Sequence, residues 1–216
     1  QNQKEINDWI AAGNGIYQAD VKPGDVKYVD INHDGVINAS DKVDLGNGLP
    51  KYTFGFNVNL AWKGFDLSAN FTGAAGFQIA QSYRDPSSSQ ANYSRRILKR
   101  WTGEGTSNEI PRVTYGDVGN WLFSDLYLQD GDYIRLQNLT MGYDFKKLIS
   151  WKGLSKMRLY FQVQNLFTLT KYDGMDPEIG SFNGTDGNSS DAWVSGVDMG
   201  YYPHPRTFIV GLNLAF

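Results

Sequence analysis

The amino-acid sequence predicts an all-β fold made of antiparallel strands. Three observations predict this class. Five segments alternate between apolar and polar side chains, the connections between them run short, long, short, long, and the 216 residues include 24 glycines and 13 tyrosines. Strict alternation is the pattern of a strand whose two faces meet different surroundings, and Gly and Tyr suit turns and strands better than helices.

The first two predicted strands form a hairpin. The segment "YTFGFNVNLA", which begins at Tyr52, places aromatic and aliphatic side chains on one face and small or polar ones on the other. After the turn Trp62-Lys63-Gly64, the segment "FDLSANFTG" repeats the same alternation. Two alternating runs joined by a short glycine-containing turn predict a tight β-hairpin.

The third predicted strand, "DYIRLQNLTMGYDF", changes its apolar phase midway. Its apolar positions are Ile134 and Leu136 in the first half, and Leu139, Met141 and Tyr143 in the second. One extra residue in a strand shifts the alternation in this way, so we predict a β-bulge between the two halves.

The last two predicted strands follow a short and a long connection. The short connection covers residues 146–156 and leads to "MRLYFQVQNLFT", and the long one covers residues 169–205 and leads to "RTFIVGLNLAF". Two short helices are predicted as well, near Lys4–Ile10 and near Tyr93–Trp101.

The alternating strands favour a barrel that spans a membrane. A soluble barrel has the same period, but the polar face here carries Gly, Asn, Ser, Gln and Thr rather than the Lys and Glu of a soluble surface. Each strand has about 9–13 residues, near the roughly 9–11 that a tilted strand needs to cross hydrocarbon. Outer-membrane barrels also join their strands by tight turns on one side and long loops on the other.

Five strands are too few to close a barrel, which needs about eight. Open sheet edges would aggregate in water and are not tolerated in lipid. We therefore expect the missing strands to come from an N-terminal part of the same protein. The opening segment "QNQKEINDWI" agrees with this expectation because it has no leader character.

Composition excludes several classes of function. The net charge of −3 argues against nucleic acid as a partner, and the lack of cysteine excludes disulfides, thiolate metal sites and cysteine nucleophiles. We expect no enzymatic activity. The two histidines, His33 and His204, are far apart, and the carboxylates Asp176 and Glu178 in "GMDPEIG" suit a turn beside proline better than a catalytic pair.

Residues 30–41, "DINHDGVINASD", match the spacing of an EF-hand calcium loop. Oxygen ligands would come from six positions: Asp30, Asn32, Asp34, Val36 through its carbonyl, Asn38 and Asp41. Gly35 would permit the sharp turn at the sixth position, and Asp41 replaces the usual glutamate with a shorter side chain. The alternative is an Asx-rich turn without metal. The extended-looking segment before the loop indicates a structural calcium site rather than a sensor.

Aromatic residues in the long connections are candidates for stacking on a sugar. They could equally pack the connections on themselves. The six candidates for substrate binding are Trp101, Tyr115, Trp121, Tyr172, Trp193 and Tyr201.

Four segments together resemble the SusC/RagA family of TonB-dependent transporters of Bacteroidetes outer membranes. They are the stretch from "PGDVKYVDINHDG" to "DLSANFTGAAG", then "GDYIRLQNLTMGYDF", "LYFQVQNLFTLTKYDGMDPE" and "YYPHPRTFIVGLNLAF", in the order in which that family has them. The resemblance covers nearly the whole chain from about Pro23. It implies that the chain is the last five strands of a 22-stranded barrel with long extracellular loops and an internal plug.

The resemblance also implies a domain organisation and a set of partners. Residues 1–49 would be an extracellular loop region with the calcium-like loop, and residues 50–216 would be the C-terminal barrel strands and their loops. The partners would be the N-terminal barrel and plug, the lipid bilayer, a SusD-like surface lipoprotein, and the TonB complex through the absent N-terminal part. Oligosaccharides or peptides would be the cargo. The alternative function is a soluble calcium-binding β-domain that acts as a glycan-binding or interaction module.

Overall fold

The structure is a computed structural model that describes residues 1–82, 93–114, 116, 119–149, 151–179 and 195–216. Its main feature is a five-stranded sheet in which every neighbouring pair is antiparallel. Its strands, in their order across the sheet, are β1 Tyr52–Trp62, β2 Phe65–Ala75, β5 Tyr133–Asp144, β6 Lys156–Thr170 and β8 Thr207–Ala215. All five strands predicted from alternation are confirmed, with only small differences at their ends.

The pairing register places side chains of one kind in rows across all five strands. One such row is wholly apolar: Leu60, Leu67, Met141, Phe161 and Val210. A row on the opposite face is mainly polar: Asn57, Asn70, Asn138, Gln164 and Thr207. Because successive side chains of a strand point to opposite faces, the alternation in sequence becomes one apolar and one polar surface.

The predicted bulge is present and lies at Gln137. Asn70 of β2 pairs with Asn138 while the next residue, Phe71, pairs with Leu136, so Gln137 is the extra residue in β5. The pairing of β5 with β6 shifts at the same place, because Leu136 pairs with Phe167 and Asn138 pairs with Gln164, which leaves one residue more in β6 than in β5. In this stretch of β6, Asn165 adopts a left-handed φ of 51°. An asparagine tolerates this backbone conformation better than most residues. The bulge accounts for the change of apolar phase in β5.

A second, smaller sheet has the order β4-β3-β7, with β3 at Gln78–Gln81, β4 at Leu128–Asp130 and β7 at Val197–Asp198. Beside it lies a small apolar core made of Ala74, Phe77, Ile79 and Tyr172, with Tyr133 and Ile179 packed against it. Sequence alternation did not predict these strands because four, three and two residues are too short to show a period.

The helices are short. Helix α1, Gln3–Ala11, agrees with the prediction near Lys4–Ile10. The side chain of its N-cap residue, Asn2, accepts a hydrogen bond from the backbone N–H of Glu5. The prediction near Tyr93–Trp101 is met by a single 3₁₀ segment, Arg95–Lys99. Further 3₁₀ turns lie at Ala39–Asp41, Asp125–Tyr127 and Phe145–Lys147. Within the described ranges, no helix combines the length and apolarity that crossing a membrane requires.

The described chain divides into two compact units. The first unit contains Gln1–Leu45 and Ser82–Leu128, and the second contains Gly46–Gln81 and Gln129–Phe216. The predicted division between residues 49 and 50, into an extracellular loop region and barrel strands, stays a prediction. In the structure, residues 82–128 join residues 1–45 in the first unit. The reason is visible in Asp25, whose carboxylate bonds Arg112 Nε at 2.6 Å and Asn120 Nδ2 at 2.7 Å.

Candidate functional site

The apolar face of the five-stranded sheet is broadly exposed. Every residue of β1 is exposed, and the exposed aromatic and aliphatic side chains continue onto β8 through Phe208, Val210, Leu212 and Leu214. A contiguous apolar surface of this extent marks an interaction with lipid or with another protein. Its aromatic side chains also pair across strands: Phe56 stacks on Phe71 with ring centroids 4.5 Å apart, and Phe65 contacts Tyr143 at 4.3 Å.

The polar face carries an ion pair that crosses a strand. Arg158 Nε of β6 donates to Asp66 Oδ1 of β2 at 2.8 Å, and the guanidinium lies 5.0 Å from the ring centroid of Tyr160. Gly142 of β5 lies between the two charged residues, and a Cβ there would come within 2.5 Å of Arg158 Nε. Glycine at this position therefore allows the arginine to reach across β5.

A second glycine on the polar face lies under an aromatic ring. Tyr160 pairs with Gly211 of β8, and a Cβ on that glycine would overlap the tyrosine ring. The ring covers the space that a side chain would otherwise occupy, an arrangement that protects a glycine in a sheet.

A charged cluster is buried where β5 and β6 meet the segment after β6. Arg135 donates to Thr168 Oγ1 at 2.9 Å and to Glu178 Oε2 at 2.6 Å, forms an ion pair with Asp176, and lies 3.0 Å from His204 Nδ1. Arg135 and Asp176 are only 3% and 5% exposed, whereas the side chains of Glu178 and His204 are 47% and 41% exposed.

Asp176 is the centre of this cluster. Its Oδ1 accepts the backbone N–H of Glu178 at 2.9 Å, and its Oδ2 accepts the backbone N–H of His204 at 3.1 Å. Burial alone would raise the pKa of the Asp176 carboxyl, but the hydrogen bonds from His204 and Glu178 and the charge of Arg135 outweigh burial and lower it. Asp176 is thus ionised at neutral pH and acts as an acceptor. This agrees with the expectation that Asp176 and Glu178 hold a turn.

The calcium-like loop has the backbone of its motif. Gly35 has a φ of 84°, and its N–H donates to Asp30 Oδ2 at 2.7 Å. The N–H of Ile31 donates to Asp41 Oδ1 at 2.9 Å, which brings the last residue of the loop to the first. The pKa of the Asp41 carboxyl is lowered, chiefly by the backbone hydrogen bond from Asn38.

The other predicted ligands bond within the loop as well. The N–H groups of Asp34 and Val36 donate to Asn32 Oδ1 at 3.0 Å and to Asp34 Oδ1 at 2.8 Å, and Asn38 Nδ2 donates to the Val36 carbonyl at 3.3 Å. In the described ranges, no three His, Cys, Asp or Glu side chains are gathered as a metal cluster. Half of the six predicted ligands are of other types, namely the side-chain amides of Asn32 and Asn38 and the backbone carbonyl of Val36. The remaining three are carboxylates.

The predicted sugar-stacking residues belong to different units. In the first unit, Trp101 donates from Nε1 to Gln1 Oε1 at 3.0 Å, and Trp121 stacks on Tyr127 with ring centroids 6.4 Å apart. In the second unit, Tyr172 is buried in the small core, where its hydroxyl bonds Asp198 Oδ2 at 2.6 Å, while the side chain of Tyr201 is 41% exposed. Tyr115 and Trp193 lie outside the described residues.

Comparison with known proteins gives one consistent group. No family model matches the chain. It is 34% identical over 206 residues to TonB-dependent receptor P3 of Formosa agariphila, covering 94% of this chain and 20% of the receptor. It is 29% identical over 205 residues to TonB-dependent receptor SusC of Bacteroides thetaiotaomicron, covering 93% of this chain and 18% of the receptor. The chain therefore spans about a fifth of the length of these relatives.

Solved structures agree on the fold. The match to the RagAB peptide importer in its closed-closed state covers 90% of this chain and 20% of the importer chain, with a TM-score of 0.60 and 24% identity. The RagAB peptide transporter matches 79% of this chain and 18% of its own, with a TM-score of 0.58 and 24% identity. The sheet described above is thus the same fold as one part of a transporter barrel wall.

Proposed function

Since this chain is a homologue of one segment of the TonB-dependent receptors that include SusC, we propose that it forms part of the barrel wall of an outer-membrane importer. TonB-dependent receptors such as SusC are outer-membrane proteins, and the outer membrane is where this chain resides. The homologues are receptors and transporters rather than enzymes. The observation that carries the proposal is the match over 94% of the chain together with the two-faced sheet.

In the proposed importer, the apolar face of the sheet contacts lipid and the polar face lines the interior. Residues 1–49 and the long connections lie on the extracellular side, and the turns after β1 and β5 lie in the periplasm. The importer works with a SusD-like surface lipoprotein and draws energy from the TonB complex through parts of the protein outside this sequence.

The cargo of the proposed importer is an oligosaccharide or a peptide. RagAB, with which the chain shares its fold, is a peptide importer, and this favours a peptide. The exposed aromatic ring of Tyr201 favours an oligosaccharide, because aromatic side chains supply much of the lining of small-molecule sites.

The proposal is tested on the full-length protein in its own outer membrane. We expect extraction only with detergent, a folded form that changes mobility on a gel after heating, and co-purification of a surface lipoprotein. Mass spectrometry of the purified complex then distinguishes peptide from oligosaccharide cargo. Recovery of the protein in the aqueous fraction would favour the alternative, a soluble calcium-binding module, and would end the importer proposal.

We also propose a structural calcium ion in the loop 30–41. The support is the spacing of the oxygen donors and the contact of Asp41 with the start of the loop. Ca²⁺ takes six to eight oxygen ligands, and a bound cation would balance the carboxylates of Asp30, Asp34 and Asp41. Bound calcium would rigidify a loop in which only Asp30 is buried among the six ligands.

The calcium proposal predicts that Asp34→Asn weakens calcium binding. The variant removes one negative charge and keeps the size of the side chain, so we expect the calcium affinity to fall by about tenfold, equivalent to roughly 1.4 kcal/mol. Calcium content after mild chelation and titration with calcium measures the effect. Asp44→Asn, three residues beyond the loop, is the matched control. Calcium binding that is absent in the unaltered protein, or equal in both variants, would contradict the site.

A further inference from the structure

Asp176 bonds to both sides of the last long connection. Its Oδ1 bonds to Arg135 and to the backbone N–H of Glu178, and its Oδ2 lies 3.1 Å from the backbone N and 2.9 Å from Nδ1 of His204. His204 is 28 residues further along the chain. One carboxylate therefore joins the residues that leave β6 to the residues that enter β8.

This junction is fixed to the main sheet. Arg135 belongs to β5, and its Nε donates to Thr168 Oγ1 of β6. Because the Arg135 and Asp176 side chains are almost fully buried, water does not replace either partner when the other is removed. Asn165, the left-handed residue of β6, adds a hydrogen bond from Nδ2 to the Pro205 carbonyl at 3.1 Å.

The position of His204 bears directly on the register of β8. Thr207 follows three residues later and pairs with Gln164, so the chain has little freedom between the junction and the first pair. The alternation of β8 specifies its face but not its register, because a slip of two residues keeps every apolar side chain on the same surface. On the polar face of β8, Gly211 under the Tyr160 ring already favours the observed register, and the contacts of His204 add to that preference.

We propose that Asp176, Arg135 and His204 form a clasp that selects the register of β8 on β6. The role of the clasp is to position β8. This role is separate from the proposed import function, because it concerns only how the last strand pairs with β6. Asp176 accepts hydrogen bonds from both ends of the connection, Arg135 links Asp176 to β5 and β6, and His204 lies just before the start of β8.

Cross-linking in the full-length outer-membrane protein tests the clasp. Gln164→Cys with Thr207→Cys reports the observed register. Gln162→Cys with Thr207→Cys and Gln164→Cys with Ile209→Cys report slips of two residues in either direction. This chain contains no cysteine of its own that would interfere. With Asp176 intact, we expect a short bifunctional thiol reagent to join only the first pair.

In an Asp176→Asn background, we expect the ratio of native to slipped cross-links to fall by about tenfold, the change that loss of a charged hydrogen bond produces. Glu178→Gln is the matched control, because it makes the same chemical change at a half-exposed carboxylate and should keep the native ratio. Arg135→Lys retains the positive charge but loses the planar set of N–H donors of the guanidinium, and should give an intermediate ratio of native to slipped cross-links.

A native ratio in Asp176→Asn equal to that of Glu178→Gln would overturn the clasp. If Asp176→Asn yields no folded protein, an unchanged ratio in Arg135→Lys overturns it instead. Either result leaves membrane location and lipoprotein co-purification unchanged, so failure of the clasp is distinguishable from failure of the importer proposal.

Discussion

Phe161→Arg is expected to prevent stable assembly of the barrel, whereas Gln162→Arg is expected to be tolerated. Phe161 lies in the apolar row that crosses all five strands, between Met141 and Val210. An arginine on the lipid face near the middle of a barrel costs about 2–4 kcal/mol because the charge loses its water. Gln162 is the next residue and faces the polar side, where its Nε2 lies 3.3 Å from Asn138 Oδ1.

The measurement is the fraction of full-length protein in the heat-modifiable form and its unfolding temperature in detergent. The two substitutions introduce the same side chain one residue apart, so they differ only in the face that receives the charge. Equal loss of folded protein in both variants would mean that the apolar face does not contact lipid.

Gly196→Ala is expected to disrupt the small sheet of β3, β4 and β7. Gly196 has a φ of 85°, and a Cβ there would lie 2.5 Å from the Cα of Gly48. The left-handed conformation costs a residue with a Cβ about 1–2 kcal/mol, and overpacking against backbone adds about 1–3 kcal/mol. The carbonyl of Gly196 accepts the N–H of Ala80 at 2.7 Å, so this hydrogen bond should open first.

Hydrogen exchange of the Ala80 amide measures this effect in the purified protein. Gly200→Ala is the control, because Gly200 has a φ of 100° but no atom within 4 Å of an added Cβ. We expect Gly200→Ala to change the protection of Ala80 little and Gly196→Ala to lower it strongly. Equal protection in the two variants would show that the close approach of Gly48 and Gly196 does not hold the sheet together.

The main sheet was predictable because its information is local. Alternation with a period of two places each strand, and the break of phase after Leu136 located the bulge before any pairing was known. The Asp176 cluster was not predictable in this way. Arg135 and His204 lie 41 and 28 residues from Asp176, and no period or motif joins them. The aromatic candidates show the same limit, because Tyr172 and Tyr201 look alike in sequence but one is buried and the other exposed.

Gln137 also has a consequence for how β5 can change by deletion. Before Gln137, the even-numbered residues Ile134 and Leu136 share the apolar face, and after it the odd-numbered residue Leu139 does. Loss of that single codon would remove the bulge and leave Ile134, Leu136 and Leu139 in strict alternation on one face. Loss of one codon elsewhere in β5 would instead turn the side chains on one side of the deletion to the opposite face. A deletion of one residue in β5 should therefore be tolerated at Gln137 more readily than at neighbouring positions.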